Sequence, residues 1–242
     1  MQLSPLREKV LSTLKPEERD FMTRVCCEIE NSEIEKGLPV LYPGSGGDVT
    51  HAVLLGDNLV FVDSHQPETT VSEILSEIAH LGGEILEEDR TGIWGKGGKL
   101  FIKFRLEGEK INLTYYAQDA TKLHELDLEE LENGYSVYFV KVPLPKEISV
   151  GSLRSPSSLG KALQDLAVGG FYLERECPLP SHVVSEMGFT KIVSGNISGL
   201  SVHPEKGNLY HKVEQVDNII EILEAGAAEL YFQANVEGYS DK

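Results

Sequence analysis

Residues Leu38–Asp63, LPVLYPGSGGDVTHAVLLGDNLVFVD, decide how the chain is read. Pro39-Val40-Leu41-Tyr42 is a short apolar run, too short for a helix and bounded by Pro43-Gly44, so it reads as a strand. Gly44, Gly46 and Gly47 allow a sharp backbone turn, and without Cβ atoms they let a ligand approach the main chain. Asp48 fits a helix N-cap, its carboxylate accepting from first-turn N–H groups, and Val49, Val53 and Leu54 supply an inward helix face. Asn58–Val62 is the next buried strand. Asp63 ends it about twenty residues after Gly44, where a nucleotide-binding βαβ unit places the acid that accepts from ribose hydroxyls. The same turn is also compatible with a Rossmann-like unit that holds no ligand.

The glycine pattern departs from the dinucleotide fingerprint GxGxxG, which needs glycine where Val49 stands. It resembles the first motif of the class I S-adenosylmethionine-dependent methyltransferases, in which a strand runs into GxGxG and an acid ends the second strand. Two positions differ: the third glycine of that motif falls on Asp48, and the acid two residues before its first glycine is Tyr42. Further landmarks follow in the family's order. Asp119-Ala120 closes a strand, where the family's acid accepts from the adenine amino group; capping of the next segment by Asp119 or Thr121 is the alternative. Gly169-Gly170 resembles the turn before the fifth strand, and Gly188-Phe189 the step into the terminal antiparallel hairpin. The resemblance spans residues 38 to about 213. Val142-Pro143-Leu144-Pro145 lacks the Asn or Asp that orients a target amine in the family's amino-methylating members.

From residues and resemblance together, the expected fold is a single α/β unit. It has a doubly wound, mostly parallel, seven-stranded Rossmann-like sheet, with a β-hairpin inserted between the second and third core strands. Residues 1–37 read as an N-terminal helical cap and 38–242 as the methyltransferase-like domain. In the cap, Leu3, Leu6, Val10, Leu11 and Leu14 keep helical spacing, Pro16 opens a second helix, and Gly37 closes it. A helix is expected over Glu68–Leu81 and a final amphipathic one over Val216–Leu230, with a frayed end from Gly238. The hairpin surrounds Glu107-Gly108-Glu109. The glycine-rich loop around Trp94 is either anchored by that ring or forms a lid.

The resemblance implies S-adenosylmethionine as cofactor. It points to Tyr42, Gly44, Ser45, Gly46, Asp63, Ser64, Asp119 and Ala120 as the binding set; His65, by its place just after that acid, reads as a solvated loop residue or as a neighbour of the adenosine. The implied activity is methyl transfer to a small molecule or protein. The alternative is a methyltransferase-like module that binds without catalysis, which Tyr42 and Asp48 motivate. Methyl transfer from a sulfonium needs in-line positioning and sometimes a base, so the lack of a catalytic signature decides nothing. Neither HExxH, GxSxG, P-loop nor EF-hand pattern occurs, and the seven histidines lack metal-ligand spacing.

A net charge of −17 on 242 residues argues against phosphate-backbone partners and anionic membranes, and favours neutral or basic ones. The acids gather around Glu28–Glu35, Glu84–Asp89 and Glu125–Glu132. Solvated faces are the plain reading; a cation-selecting rim formed by the third cluster is the sharper one. Cys26, Cys27 and Cys177 have no ligand or redox spacing, and no signal-type or membrane-spanning run appears. A cytoplasmic location is the resulting expectation.

Overall fold

The computed structural model describes residues 3–64, 66–92, 97–126, 128–140, 156–175, 181–197 and 205–226. Two N-terminal helices, α1 (Pro5–Thr13) and α2 (Pro16–Asn31), each begin on a proline, whose missing N–H costs nothing in a first turn. Ser4 caps α1 by accepting from the Arg7 N–H. The second helix ends at Asn31 rather than at Gly37. Ser32 is already extended there, so Ile34 leaves the helical stripe.

Strand β1 (Val40–Pro43) leads through the glycine turn into α3 (Val49–Leu55), and β2 (Asn58–Val62) returns beside β1, with Leu41 opposite Val60. Helix α4 (Pro67–His80) precedes β3 (Glu84–Thr91), β4 (Lys99–Leu106) and β5 (Glu109–Tyr116). Two 3-10 turns, Ala120–Glu125 and Glu129–Leu131, connect to β6 (Tyr135–Val140). Then come α5 (Pro156–Asp165), β7 (Leu166–Arg175), α6 (Ser181–Glu186), β8 (Phe189–Ile197), β9 (Glu205–Lys212) and a helical stretch over 219–226.

All of these strands share one sheet, in the order β3-β4-β5-β2-β1-β6-β7-β9-β8. The pairs among β5, β2, β1, β6 and β7 are parallel; those at both flanks are antiparallel. The sheet is therefore mixed and nine-stranded, not seven-stranded and mostly parallel. The difference has one cause: β3 and β4 extend the main sheet beyond β5 instead of standing apart from it. A second correction concerns Gly169-Gly170, which lie inside β7 rather than at a hinge before it. Gly169 sits at φ +85°, opposite a register shift between Tyr135 and Val137, so the pair forms a bulge.

Both faces of the central strands are covered. On one face Leu6, Val10, Phe21 and Val25 of the N-terminal helices, with Leu54 of α3 and Ile74 and Ile78 of α4, bury Tyr42, Phe61, Phe104, Tyr115 and Phe139. Full burial of a side chain such as Phe21 contributes roughly 2 kcal/mol. On the other face Leu159 and Leu163 of α5, Val183 of α6, and Ile219 and Leu223 cover Leu41, Val60, Tyr138, Tyr172 and Tyr210. Lys212, fully buried, donates through Nζ to the carbonyls of Leu163, Gln164 and Leu166 and so closes the C-terminal end of α5. At the far edge β3 is exposed along its whole length, with a register irregularity between Ile85 and Glu87.

His65, the Trp94 loop, Val142–Pro145, Cys177 and the Gly238 end lie outside the described residues. So do 227–230 of the expected final helix, whose residues 219–226 are helical. No helix among the described residues is long and apolar enough to cross a membrane.

Candidate functional site

Parallel β1, β2 and β5 end at the same edge of the sheet, and each carries a chemically distinct group there. After β1, Gly44 (φ +62°) and Gly46 (φ +53°) adopt left-handed conformations that a side chain would strain. The Gly44 N–H donates to the carbonyl of Val62, tying the turn to the end of β2. Asp63 leaves β2 with its N–H bonded to the Tyr116 carbonyl of β5. Its carboxylate reaches back over the turn and accepts from the Gly46 N–H at 3.0 Å. The acid and the glycine turn are thus one hydrogen-bonded unit spanning two strands. The Tyr115 hydroxyl donates to the Asp63 carbonyl at 2.8 Å, and burial together with the Asp63 charge pushes this phenol up to about 12.

The remaining expected binding residues fall out differently. Ser45 is buried in the turn and its hydroxyl donates to the Gly46 carbonyl, while Ser64 is exposed beside Asp63. Asp119 is exposed after β5, and one carboxylate oxygen accepts from both the N–H and the hydroxyl of Thr121. It therefore caps the first 3-10 turn, and Ala120 is buried behind it. Tyr42 turns away from the edge. Its ring packs in the core, 4.3 Å from Phe139 between centroids, and its hydroxyl donates to Asp48 at 2.8 Å. The two departures from the methyltransferase glycine motif, Tyr42 and Asp48, are therefore partners of each other.

Asp48 caps α3 as its sequence position implies, accepting from the His51 N–H at 3.3 Å. The same carboxylate oxygen lies 2.7 Å from His51 Nδ1, and Glu18 of α2 lies 2.7 Å from Nε2. His51 and Glu18 are buried. Periodicity put His51 on a short helix but gave no sign of Glu18, which differs from exposed Glu17 only by its place on the helix face.

Two further clusters were not legible. Lys99, the first residue of β4, sits over the Tyr116 ring and pairs with Glu130 at 2.8 Å; Tyr116 donates its hydroxyl to the same carboxylate. Burial opposes the charges of Lys99 and Glu130, yet their mutual contact outweighs it, raising the lysine and lowering the acid. Glu130 is therefore committed to a lysine, which removes it from any cation-selecting rim. At the end of β7, opposite Val140, buried Glu174 accepts from the hydroxyls of Tyr172 (2.8 Å) and Tyr210 (2.6 Å). Cys26 is buried in the core with its thiol pushed up to about 12 by burial, which makes it a packing residue rather than a nucleophile. Among the described residues no group of three or more His, Cys, Asp or Glu side chains is placed to hold a metal.

No family model and no curated protein matches this sequence. Solved structures do match its chain path. The N-methyltransferase NodS from Bradyrhizobium japonicum aligns with 83% of this chain and 98% of its own, at 10% identity and a TM-score of 0.49. An rRNA methylase from Streptococcus thermophilus covers 88% of this chain and 99% of its own, at 13% identity and 0.46. A candidate methyltransferase from Streptococcus mutans, in complex with S-adenosylhomocysteine, covers 83% and 99%, at 10% and 0.47. At these identities and TM-scores the likeness carries no argument, and what the site binds has to be argued from its own residues.

Proposed function

We propose that the chain binds S-adenosylmethionine at the C-terminal edge of β1, β2 and β5 and acts as a methyltransferase on a small-molecule or protein substrate. The observation that carries this reading is the carboxylate of Asp63 held over the glycine turn by the Gly46 N–H. An acid fixed at the end of the second strand, beside backbone that lacks Cβ atoms, matches what a ribose diol and an adjoining chain of atoms require. Nothing within 4 Å would meet a Cβ placed on Gly46, so the turn is open on that side. Asp119 would accept from the adenine amine with the carboxylate oxygen that Thr121 leaves over. Ser45 and Gly44 would line the backbone side, and Tyr42 would act only by holding Asp48.

Titration calorimetry with S-adenosylhomocysteine tests the reading. Asp63→Ala is expected to weaken binding by about 1–3 kcal/mol, the cost of unpaired hydroxyl donors, and Asp119→Ala by less because that acid is exposed. Asp63→Asn keeps an acceptor for Gly46 and separates loss of the turn's geometry from loss of the charge. No heat at millimolar ligand with the fold intact refutes the proposal.

The second reading, a binding module without catalysis, is favoured by the pairing of Tyr42 with Asp48, which puts a phenol where the family carries an acid. Binding without methyl transfer to any substrate class would support it. For either reading we propose neutral or basic partners and no nucleic acid, on the strength of the −17 charge.

A further inference from the structure

Two elements far apart in sequence meet beneath the glycine turn. His51, in the first turn of α3, is 7% exposed in its side chain, and Glu18, in the first turn of α2, is 4% exposed. Carboxylate oxygens lie 2.7 Å from both ring nitrogens. Each contact at that distance needs a proton between oxygen and nitrogen, and imidazole is the stronger base of the two, so both nitrogens donate and the ring is an imidazolium. The arrangement holds one proton more than a neutral histidine between two carboxylates would. Its members reach the turn directly, since Asp48 follows Gly47, caps α3 and accepts from the Tyr42 hydroxyl.

We infer that Glu18, His51 and Asp48 form a one-proton bridge through which helix α2 positions the glycine turn. Glu18 and His51 are positioning residues in this scheme. Loss of the proton leaves one ring nitrogen presenting a lone pair to a carboxylate. Whichever arm then opens, the contact weakens: at Glu18 the helix is released, and at Asp48 the turn itself moves. The charged and titratable groups around His51 include Glu18 from α2 and Asp48 from the turn, whose second oxygen accepts from the Tyr42 hydroxyl of β1. From α4 Glu77 accepts from the Thr50 N–H and hydroxyl at 2.9 and 3.0 Å and feels the His51 charge. From β6 the Phe139 ring lies 6.3 Å away. With three carboxylates and one histidine in the group, the bridge is closed on the acid side of its titration and open on the alkaline side. If the turn holds a nucleoside cofactor, as proposed above, its affinity falls as pH rises through that point.

The discriminating variant is Glu18→Gln. A glutamine amide accepts from a protonated Nε2 and donates to an unprotonated one, so it keeps the arm closed in both states. In ligand-free, full-length protein, hydrogen exchange at residues 46–51 is the readout. Protection corrected for intrinsic rate should fall about 10-fold between pH 6 and 9 in the wild type and stay level in Glu18→Gln. Parallel profiles would overturn the inference. Nitrogen NMR of the wild-type ring gives a test that needs no stable variant: both His51 nitrogens protonated at pH 7 supports the bridge, and a neutral tautomer ends it. Titration with S-adenosylhomocysteine at pH 6.5 and 8.5 keeps the two proposals apart. Binding that weakens at the higher pH in wild type but not in Glu18→Gln supports both. Absence of binding at either pH removes the cofactor reading, while the exchange data still judge the bridge.

Discussion

A methyl group added at Gly47 would lie 2.3 Å from Cβ of Glu73 and 3.0 Å from its backbone carbon, so α4 would have to move. At Gly46 the same methyl meets nothing within 4 Å, and only the backbone conformation, φ +53°, resists it. Gly47→Ala is therefore expected to lose about 1–3 kcal/mol through overpacking, and Gly46→Ala about 1 kcal/mol through strain, in urea unfolding. A larger loss at Gly46 than at Gly47 would contradict the close approach of α4. At this scale the sequence was informative where chemistry is local. Asp48 as the cap of α3 follows from its place before an apolar helix, and Asp63 from its place after a strand. The pairing of His51 with Glu18 joins residues 33 positions apart, and no spacing rule reaches that far.

Lys212 ties the end of β9 to the end of α5, and burial lowers its ammonium to about 8, with the Asp165 charge acting in the opposite sense. Between pH 8 and the ordinary lysine value of 10.5 the unfolded chain binds the proton that the folded chain has released. This group's contribution therefore makes the protein more stable as pH rises through that window. Comparison of Lys212→Met with wild type should show the wild type gaining relative stability from pH 8 to 10.5, and the variant losing about 1–3 kcal/mol at pH 7 because three carbonyls lose their donor. A pH-independent difference would mean that the lysine is not desolvated. On the same face of the sheet, at the end of β5, Glu130→Gln should lower the unfolding midpoint by loosening Lys99 from Tyr116. Glu129→Gln, 84% exposed and 3.6 Å from the same lysine, should leave it unchanged. Equal effects would show that Glu130 is no more engaged than its neighbour. Element types were legible from period and punctuation, as at Asn58–Val62, where apolar residues stop between Asp57 and Asp63. The bulge in β7 was not, because Gly169-Gly170 reads equally as a hinge until the carbonyls of Ser136 and Ala167 are seen 2.8 Å from where a Gly170 Cβ would stand.

For the molecule as a whole, the central parallel strands and their cover could be anticipated, since each βα step announces itself by an apolar run, a turn and an amphipathic helix. The width of the sheet could not. Of strand β3 only Glu84–Glu87 reads as a strand; its run on to Thr91 has neither alternation nor an apolar stretch, and its place in the main sheet is fixed by pairing with β4. At physiological salt the −17 charge should keep the protein from forming a tight complex with RNA. Gel-shift titration at 50 and 200 mM salt would detect one, and a submicromolar, salt-sensitive complex would show that a local basic surface overrides the total.

Beyond β3 the sheet has no further described strand, so a row of backbone donors and acceptors borders solvent beside Ile85 and Leu86, which are 42% and 38% exposed. Glu84, Glu87, Glu88 and Asp89 on this strand act as gatekeepers, because two copies docking rim to rim would bring like charges together. That protection is electrostatic and fades as the pH nears 4.8, where the net charge vanishes. Turbidity and thioflavin fluorescence should then rise in acid, and Glu88→Pro, which removes a donor that points away from β4 toward the rim, should delay the rise. Assembly that proceeds equally fast in that variant would place the adhesive surface elsewhere. On this view the acids of β3 set the colloidal lifetime of the protein: the added strands widen the sheet, and their charge keeps it from growing into a fibril.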